Sequence, residues 1–397
     1  MMPSEMSPDR KKKIKTLLSM MSKQNERIFV IVPPLVEMMD LVIDDAELDY
    51  LLQMGTGLFD YHQARKASDM PDDKFKSFFD TMRRKGLIRI ELDKNGNEEY
   101  RLNAIAVGWY EAMMHYIVGK PQEKAFSEKW NEFFQYFQKF NFFPLREAQN
   151  LLMRKFLKPN QGSAILNPEM AGMTKSKTIP INTTLTGSGA QVYPTFRVNT
   201  LIEDYGDQES IYAFPCVCRR GNKLIDSSCD YDLPEVSCIT FGVEANAWAK
   251  WGYGRHVSKA EAIEILKEVR NKGAVHSVIH EKDNTSLPVT AICNCCWDCC
   301  AILKPYNMGA VPLKYNASYT AKVKDDADCK GCGNCEKFCP TAAMKLKDER
   351  VSLNSDRCIG CGQCAFQCRQ NNIELYPNER TVFLPILKKS EARVVAP

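Results

Sequence analysis

No cysteine precedes Cys216 in this 397-residue chain, yet seventeen occur from there on. Long uncharged apolar runs are also missing, and nothing approaches the roughly 18 residues that a membrane-spanning helix needs. The basic start, MMPSEMSPDRKKKIKTLLSM, has neither the apolar core nor the small-residue cleavage site of a secretory signal. A soluble, cytoplasmic protein is the expectation. Charge of one sign is lacking too: 53 basic residues stand against 49 acidic ones, and the net charge of +4 is thinly spread. That balance calls for neither nucleic acid nor an anionic membrane. A nucleotide-binding glycine-rich loop, a flavin fingerprint and a Ser/His/Asp arrangement are absent, so any redox chemistry has to belong to a bound metal centre. Apolar residues make up 44% of the chain, enough for packed cores in two or three domains. In a reducing compartment the clustered cysteines then read as metal ligands and not as disulfides.

The cysteine-free part divides by pattern. After a basic segment at residues 1–35, residues 36–120 open with one apolar-periodic helix, VEMMDLVIDDAELDYLLQMG, and a short helical stretch near 62–68. A third helix, PDDKFKSFFDTMRRKG, is bounded by Pro71 and Gly86. LIRIEL and EEYRL then flank DKNGN, whose Asn95 and Gly96 signal a hairpin turn. Three helices and a hairpin predict a winged-helix-like domain. Residues 40–120 carry about fifteen acidic side chains against about eleven basic ones. This balance disfavours phosphate contacts, despite the basic patch Arg83-Arg84-Lys85, and a docking scaffold is expected. Residues 121–158 put Phe126, Trp130, Phe133, Phe137 and Phe140 on one helical face, read as core packing. Residues 159–200 and 304–318 read as linkers, 201–303 as a cysteine-rich α/β unit, 319–378 as an internal repeat and 379–397 as a tail. The fold class is α+β, multidomain.

The repeat consists of CKGCGNCEKFCP at 329–340 and CIGCGQCAFQCR at 358–369. Both show C-x2-C-x2-C-x3-C, the bacterial ferredoxin spacing for cubane clusters. Two zinc sites would need looser spacings and would not account for the duplicated glycines or Pro340. Over about 60 residues the repeat resembles the two-[4Fe-4S] bacterial ferredoxin family. The resemblance implies that Cys329, Cys332, Cys335 and Cys368 hold one [4Fe-4S] cluster, and that Cys358, Cys361, Cys364 and Cys339 hold the other. It also implies two clusters close enough for electron hopping. Arg369 stands where a proline often follows the last cysteine.

Nine cysteines remain. A strand, SIYAFP, leads Cys216 and Cys218 into a loop, a second strand, VSCITFG, carries Cys238, and Cys229 lies between them. Ser258 and Glu261 cap the helix AEAIEILKEVRNKG, and AVHSVIH and PVTAIC lead into AICNCCWDCC. That run holds Cys293, Cys295, Cys296, Cys299 and Cys300. Nine thiolates suffice for two cubanes with one spare, for one larger cluster, or for a structural zinc plus one cubane. The run is expected to share a cluster with the Cys216–Cys238 group, giving one or two further iron–sulfur clusters. Neighbours along the chain do not easily reach one cubane together, so Cys295 and Cys296 are expected to face different sites. His256, His276 and His280 offer nitrogen ligands, with hydrogen-bonded structural roles the favoured reading. From CVCR through ICNCCxxCC to the repeat, the chain resembles long iron–sulfur proteins of strict anaerobes. The leading expectation is an electron-transfer protein that relays low-potential electrons to or from a partner oxidoreductase. The alternatives are a redox enzyme with a substrate-reducing cluster in the middle unit and a redox-sensing winged-helix regulator.

Overall fold

The computed structural model describes residues 6–24, 30–156, 163–165, 202, 211–225, 229–280, 289–324 and 328–394. The chain forms two compact units. One comprises Met1–Tyr136, Arg220–Asp226 and Gly242–Gly254, and the other Phe137–Arg219, Ser227–Phe241 and Arg255–Pro397. No helix among the described residues is long and apolar enough to cross a membrane.

In the first unit the basic N-terminal segment contains helix α1, Pro8–Gln24. Ile14, Leu17, Leu18 and Met21 follow the spacing of one helical face, and all four are fully buried. The single helix read from VEMMDLVIDDAELDYLLQMG is two, α2 (Pro33–Asp40) and α3 (Asp45–Met54). The cause of the break is local: the Asp44 carboxylate accepts the Glu47 N–H at 2.8 Å, while the Glu47 carboxylate accepts the Asp44 N–H at 3.1 Å. This capping box starts a new helix in mid-run. Helices α4 (Tyr61–Lys66) and α5 (Asp72–Arg84) lead into an antiparallel hairpin of β1 (Ile88–Leu92) and β2 (Glu98–Leu102). Its turn holds Gly96 at φ 84°, next to Asn95 as the sequence suggests. Helices α6 (Tyr110–Tyr116) and α7 (Glu123–Gln138) follow. Phe126, Trp130 and Phe133 of α7 are buried, with Trp130 stacked on Tyr110 at 4.1 Å between ring centroids. Phe137 and Phe140 are half-buried.

Among the ion pairs of this unit, that of Lys85 with Glu47 is deeply buried. The Lys85 ammonium sits 2.7 Å from the Glu47 carboxylate, whose side chain is 1% exposed, and also donates to the Val42 carbonyl. Burial raises the Glu47 pKa, and Lys85 pulls it back down. Lys85→Ala strands a buried carboxylate and is expected to cost about 3 kcal/mol in a urea melt. The paired replacement Lys85→Met with Glu47→Leu is expected to recover most of that loss.

The second unit is built on a six-stranded antiparallel sheet in the order β3-β7-β8-β5-β4-β6. Its strands are β3 (Ser163–Ile165), β4 (Ile211–Pro215), β5 (Val236–Phe241), β6 (Arg255–His256), β7 (Val275–His280) and β8 (Val289–Cys295). Ile211, Ala213, Ile239, Phe241, Val278 and Ile292 form its apolar core with Ala262 and Leu266 of the helix Lys259–Asn271. Of the stretch 159–200, only β3 falls within the described residues. Within 304–318 the chain is helical at Leu303–Asn307 and begins a long strand, β9 (Leu313–Val323), that pairs antiparallel with β12 (Ile373–Leu384). The short hairpin of β10 (Met344–Lys347) and β11 (Arg350–Leu353) lies between the two halves of the repeat.

Candidate metal centre

The sheet register explains how two distant groups of cysteines meet. Ile239 of β5 pairs with Ile292 of β8, so in this antiparallel ladder Cys238 lies opposite Cys293. Side chains alternate along a strand, and Cys295 therefore shares the face of Cys293. Strand β4 pairs Phe214 with Cys238 and ends at Pro215. Cys216, whose N–H donates to the Glu235 carbonyl at 2.8 Å, thus arrives at the same edge. Cys218 follows in the first turn of the helix Val217–Leu224, where the sequence suggests a loop. The result is a six-thiol group of Cys216, Cys218, Cys238, Cys293, Cys295 and Cys300.

The protonation pattern reflects this crowding. Cys216 is held well below the ordinary thiol range by hydrogen bonds from Cys218 and Cys238, with the Arg219 guanidinium adding a smaller pull. Cys218 and Cys238 are pushed up in return. Cys300 is lowered by a hydrogen bond from Cys295, which rises.

The second group is smaller. At the end of β8 the alternation turns Cys296 away from Cys295, and a single turn of chain, closed by the Cys300 N–H on the Cys296 carbonyl at 3.3 Å, brings Cys299 beside Cys296. Cys229 joins them, with 3.7 Å between its Sγ and that of Cys296. Asp298 completes the set, and the four ligand atoms all lie within 4.8 Å of one another. Tyr231, Leu233, Val269 and Ala274 pack around Cys296 and Cys299, with Trp297 and Phe338 at the edge. The neighbouring pairs Cys295/Cys296 and Cys299/Cys300 are therefore each split between two groups.

Asp298, Arg219 and Lys304 escaped the sequence reading. Asp298 and Lys304 are buried, at 6% and 4% exposure. Burial lowers the Lys304 pKa, which Cys299, Asp298 and Cys296 raise again in part. Arg219 is pulled on by thiols of both groups, Cys216 and Cys238 in one and Cys296 and Cys229 in the other. Its Nε and Nη1 are buried without hydrogen-bond partners among the described residues, while Nη2 donates to Ser237 Oγ at 2.6 Å. The signal available in sequence is a charged residue inside, or next to, a cysteine motif.

His276 is buried, its Nδ1 2.5 Å from Asn294 Oδ1, and burial lowers its pKa to about 4 despite that hydrogen bond. His256 is exposed, and the side chain of His280 lies outside the described residues.

The ferredoxin-type cysteines form two further sets. Cys335 is raised to about 11 by burial, with Cys332, Cys329 and Cys368 as the nearby thiols. Cys361 and Cys364 are raised chiefly by burial, and Cys339 and Cys358 are their shared neighbours. Backbone donors point at several of these sulfurs: Ala343 N to Cys339 Sγ at 3.1 Å, Asn372 N to Cys368 Sγ at 3.4 Å and Ala321 N to Cys358 Sγ at 3.5 Å. Such N–H···S bonds stabilise thiolates and tune cluster potentials. At Gly360, φ is 71° and an added Cβ would lie 2.4 Å from the Tyr319 carbonyl oxygen, so the loop closes against backbone where only glycine fits. Eight thiols in two sets, backbone donors and glycine loops fit a pair of cubanes.

Within this unit the middle region and the repeat interlock. Tyr231 stacks on Phe338 at 5.3 Å, and its hydroxyl donates to the Lys337 carbonyl at 3.1 Å. Gln363 donates to the Ala274 carbonyl, and Asn307 to that of Pro340. The Arg393 guanidinium lies 4.0 Å from the Trp297 ring centre and donates to the Cys339 carbonyl. Cys361 packs against the apolar cluster that contains Cys295 and Cys300.

Comparison with known proteins agrees with the repeat. Residues 321–369 match the 4Fe-4S dicluster domain family. Two uncharacterized ferredoxins of Methanocaldococcus jannaschii are similar to this chain. One is 35% identical over 80 residues, 19% of this chain and 45% of the relative, and the other 34% over 79 residues, 19% and 47%. A subunit of the ion-translocating oxidoreductase complex of Methanosarcina acetivorans is 36% identical over 50 residues, 13% of this chain and 19% of that protein. The chain thus spans less than half the length of the curated relatives it matches. No solved structure matches.

Proposed function

We propose that the protein is an iron–sulfur electron-transfer component whose C-terminal dicluster domain exchanges electrons with a partner oxidoreductase and with a further cluster held by the six-thiol group. Cys329, Cys332, Cys335 and Cys368 would ligate one ferredoxin-type cluster, and Cys339, Cys358, Cys361 and Cys364 the other. The observation that carries the reading is the packing of Cys361 against the same apolar cluster as Cys295 and Cys300. It places a ferredoxin-type thiol against the same apolar packing that holds two thiols of the middle group. Burial in a low-dielectric surrounding, backbone N–H donors and the Arg219 cation are the levers by which these residues would set potentials. The relative that belongs to an ion-translocating oxidoreductase complex supports a large redox complex as the class of partner.

The winged-helix-like module is assigned to docking and not to DNA. Arg83 lies 5.3 Å from the ring centres of both Tyr100 and Trp251, and Lys85 is committed to Glu47. Two of the three cations in the basic patch are thereby used internally, and little remains for phosphates.

Iron and acid-labile sulfide counts on the anaerobically purified chain test the reading. About twelve of each are expected, for three four-iron clusters. About eight of each would leave the six-thiol group without a cluster and end the proposal of a middle station.

A further inference from the structure

The two middle groups differ in kind. Cys229, Cys296, Cys299 and Asp298 present their ligand atoms within 4.8 Å of one another, and among the described residues no other three Cys, His, Asp or Glu ligand atoms are so compact. Metal–sulfur bonds of about 2.3 Å in tetrahedral geometry separate two sulfurs by about 3.8 Å. The Sγ atoms of Cys229 and Cys296 are 3.7 Å apart. In a cubane each thiolate binds its own iron, and the iron–sulfide core holds the ligand sulfurs much farther apart. Thiols also meet in the six-thiol group, where Cys216 is hydrogen-bonded to Cys218 and Cys238, so the carboxylate of Asp298 is what sets the Cys229 group apart.

We propose that Cys229, Cys296, Cys299 and Asp298 form a mononuclear site for one tetrahedral divalent ion, zinc or ferrous iron. Asp298 supplies the second, independent observation. It is 6% exposed, its Oδ2 accepts the Asp230 N–H at 2.7 Å, and its Oδ1 is buried with no hydrogen bond of good geometry among the described residues, the Cys296 thiol being the group that lies beside the carboxylate. A buried carboxylate oxygen left in this state is costly, and a metal bond satisfies it. Charge closes as well. Three thiolates and a carboxylate carry four negative charges, of which the ion cancels two. Lys304, buried beside Cys299, Asp298 and Cys296, and Arg219, facing Cys229 and Cys296, supply the other two. A closed set of four protein ligands around a buried centre is the arrangement of a structural ion. Its effect would be to fasten the loop at Cys229 to the cysteine run. The same loop carries Tyr231, which meets Phe338 and Lys337 of the first ferredoxin motif. The ion would thereby fix the distance between the middle group and the dicluster domain. The proposal does not depend on the electron-transfer reading.

The test is elemental analysis with acid-labile sulfide on the full-length chain, purified without oxygen, for the parent and Cys229→Ala. Loss of one zinc, or of one iron, with sulfide unchanged is the expected result, and the element lost identifies the ion. Loss of iron and sulfide together would show a cluster at this site and overturn the proposal, as would unchanged metal content. Should Cys229→Ala fail to fold, Asp298→Ala decides the matter. Water can replace the lost oxygen ligand, so a chelator should strip one ion from this variant faster than from the parent, without release of sulfide. Unchanged chelator resistance, or sulfide released with the metal, would overturn the proposal.

Discussion

Cys361→Ala is expected to remove about four irons per chain and to stop electron transfer between the six-thiol group and the dicluster domain. Cys361 is half-buried and packs against the cluster that holds Cys295 and Cys300, so the ferredoxin-type cluster assigned to it is the one nearest the middle group. Cys332→Ala should remove the same amount of iron from the other set, with a different functional result. Cys332 is exposed, and the cluster assigned to it is placed to meet a partner from solution. Its loss should leave the middle group in contact with one ferredoxin-type cluster while abolishing reduction by an external redox protein. Iron counts combined with electron paramagnetic resonance of the reduced variants separate the two outcomes. A small diffusible reductant should still reach the middle group in Cys332→Ala. Full iron content with unimpaired transfer in either variant would refute the ligand assignment.

How much of this was legible in the sequence depends on the range of the interaction. Short-range signals were readable, because a spacing such as C-x2-C-x2-C-x3-C or an Asn-Gly turn encodes its geometry within a few residues. The same principle predicts the break between α2 and α3, since Asp44 and Glu47 form a capping box three residues apart, but the continuous apolar periodicity around them hides it. Helix α1 is similarly masked by its lysines, although Ile14, Leu17, Leu18 and Met21 carry the spacing of a buried face. The sorting of the nine middle thiols is different in kind. It needs the β5–β8 register to bring Cys238 to Cys293 and the approach of the Cys229 loop to Cys296, whereas the parting of Cys295 from Cys296 follows from their adjacency in the chain. Neither meeting is local, so the sequence left two cubanes, one large cluster, or zinc with a cubane as alternatives. Asp298 was overlooked because a carboxylate in a run of cysteines looks like a solvated residue until its burial is known.

Gly273→Ala is expected to destabilise the second unit by about 3 kcal/mol, combining backbone strain with overpacking. Gly273 follows the helix Lys259–Asn271 at φ 101°, a conformation that an L side chain rarely adopts. A Cβ there would lie 2.1 Å from the Phe338 ring and 3.0 Å from that of Tyr231. The ring has little room to yield, since Phe338 is stacked on Tyr231, which is anchored to the Lys337 carbonyl. Accommodation would push the first ferredoxin motif away from the loop that carries Cys229. Denaturation midpoints should therefore fall, and electron transfer from the six-thiol group should slow in the fraction that remains folded. The double variant Gly273→Ala with Phe338→Ala removes the colliding ring but keeps the strained backbone. It should be more stable than the sum of the single effects predicts, by at least about 1 kcal/mol. Strict additivity would mean that the two residues do not meet, and the close joining of the middle region to the dicluster domain would then be wrong at this point.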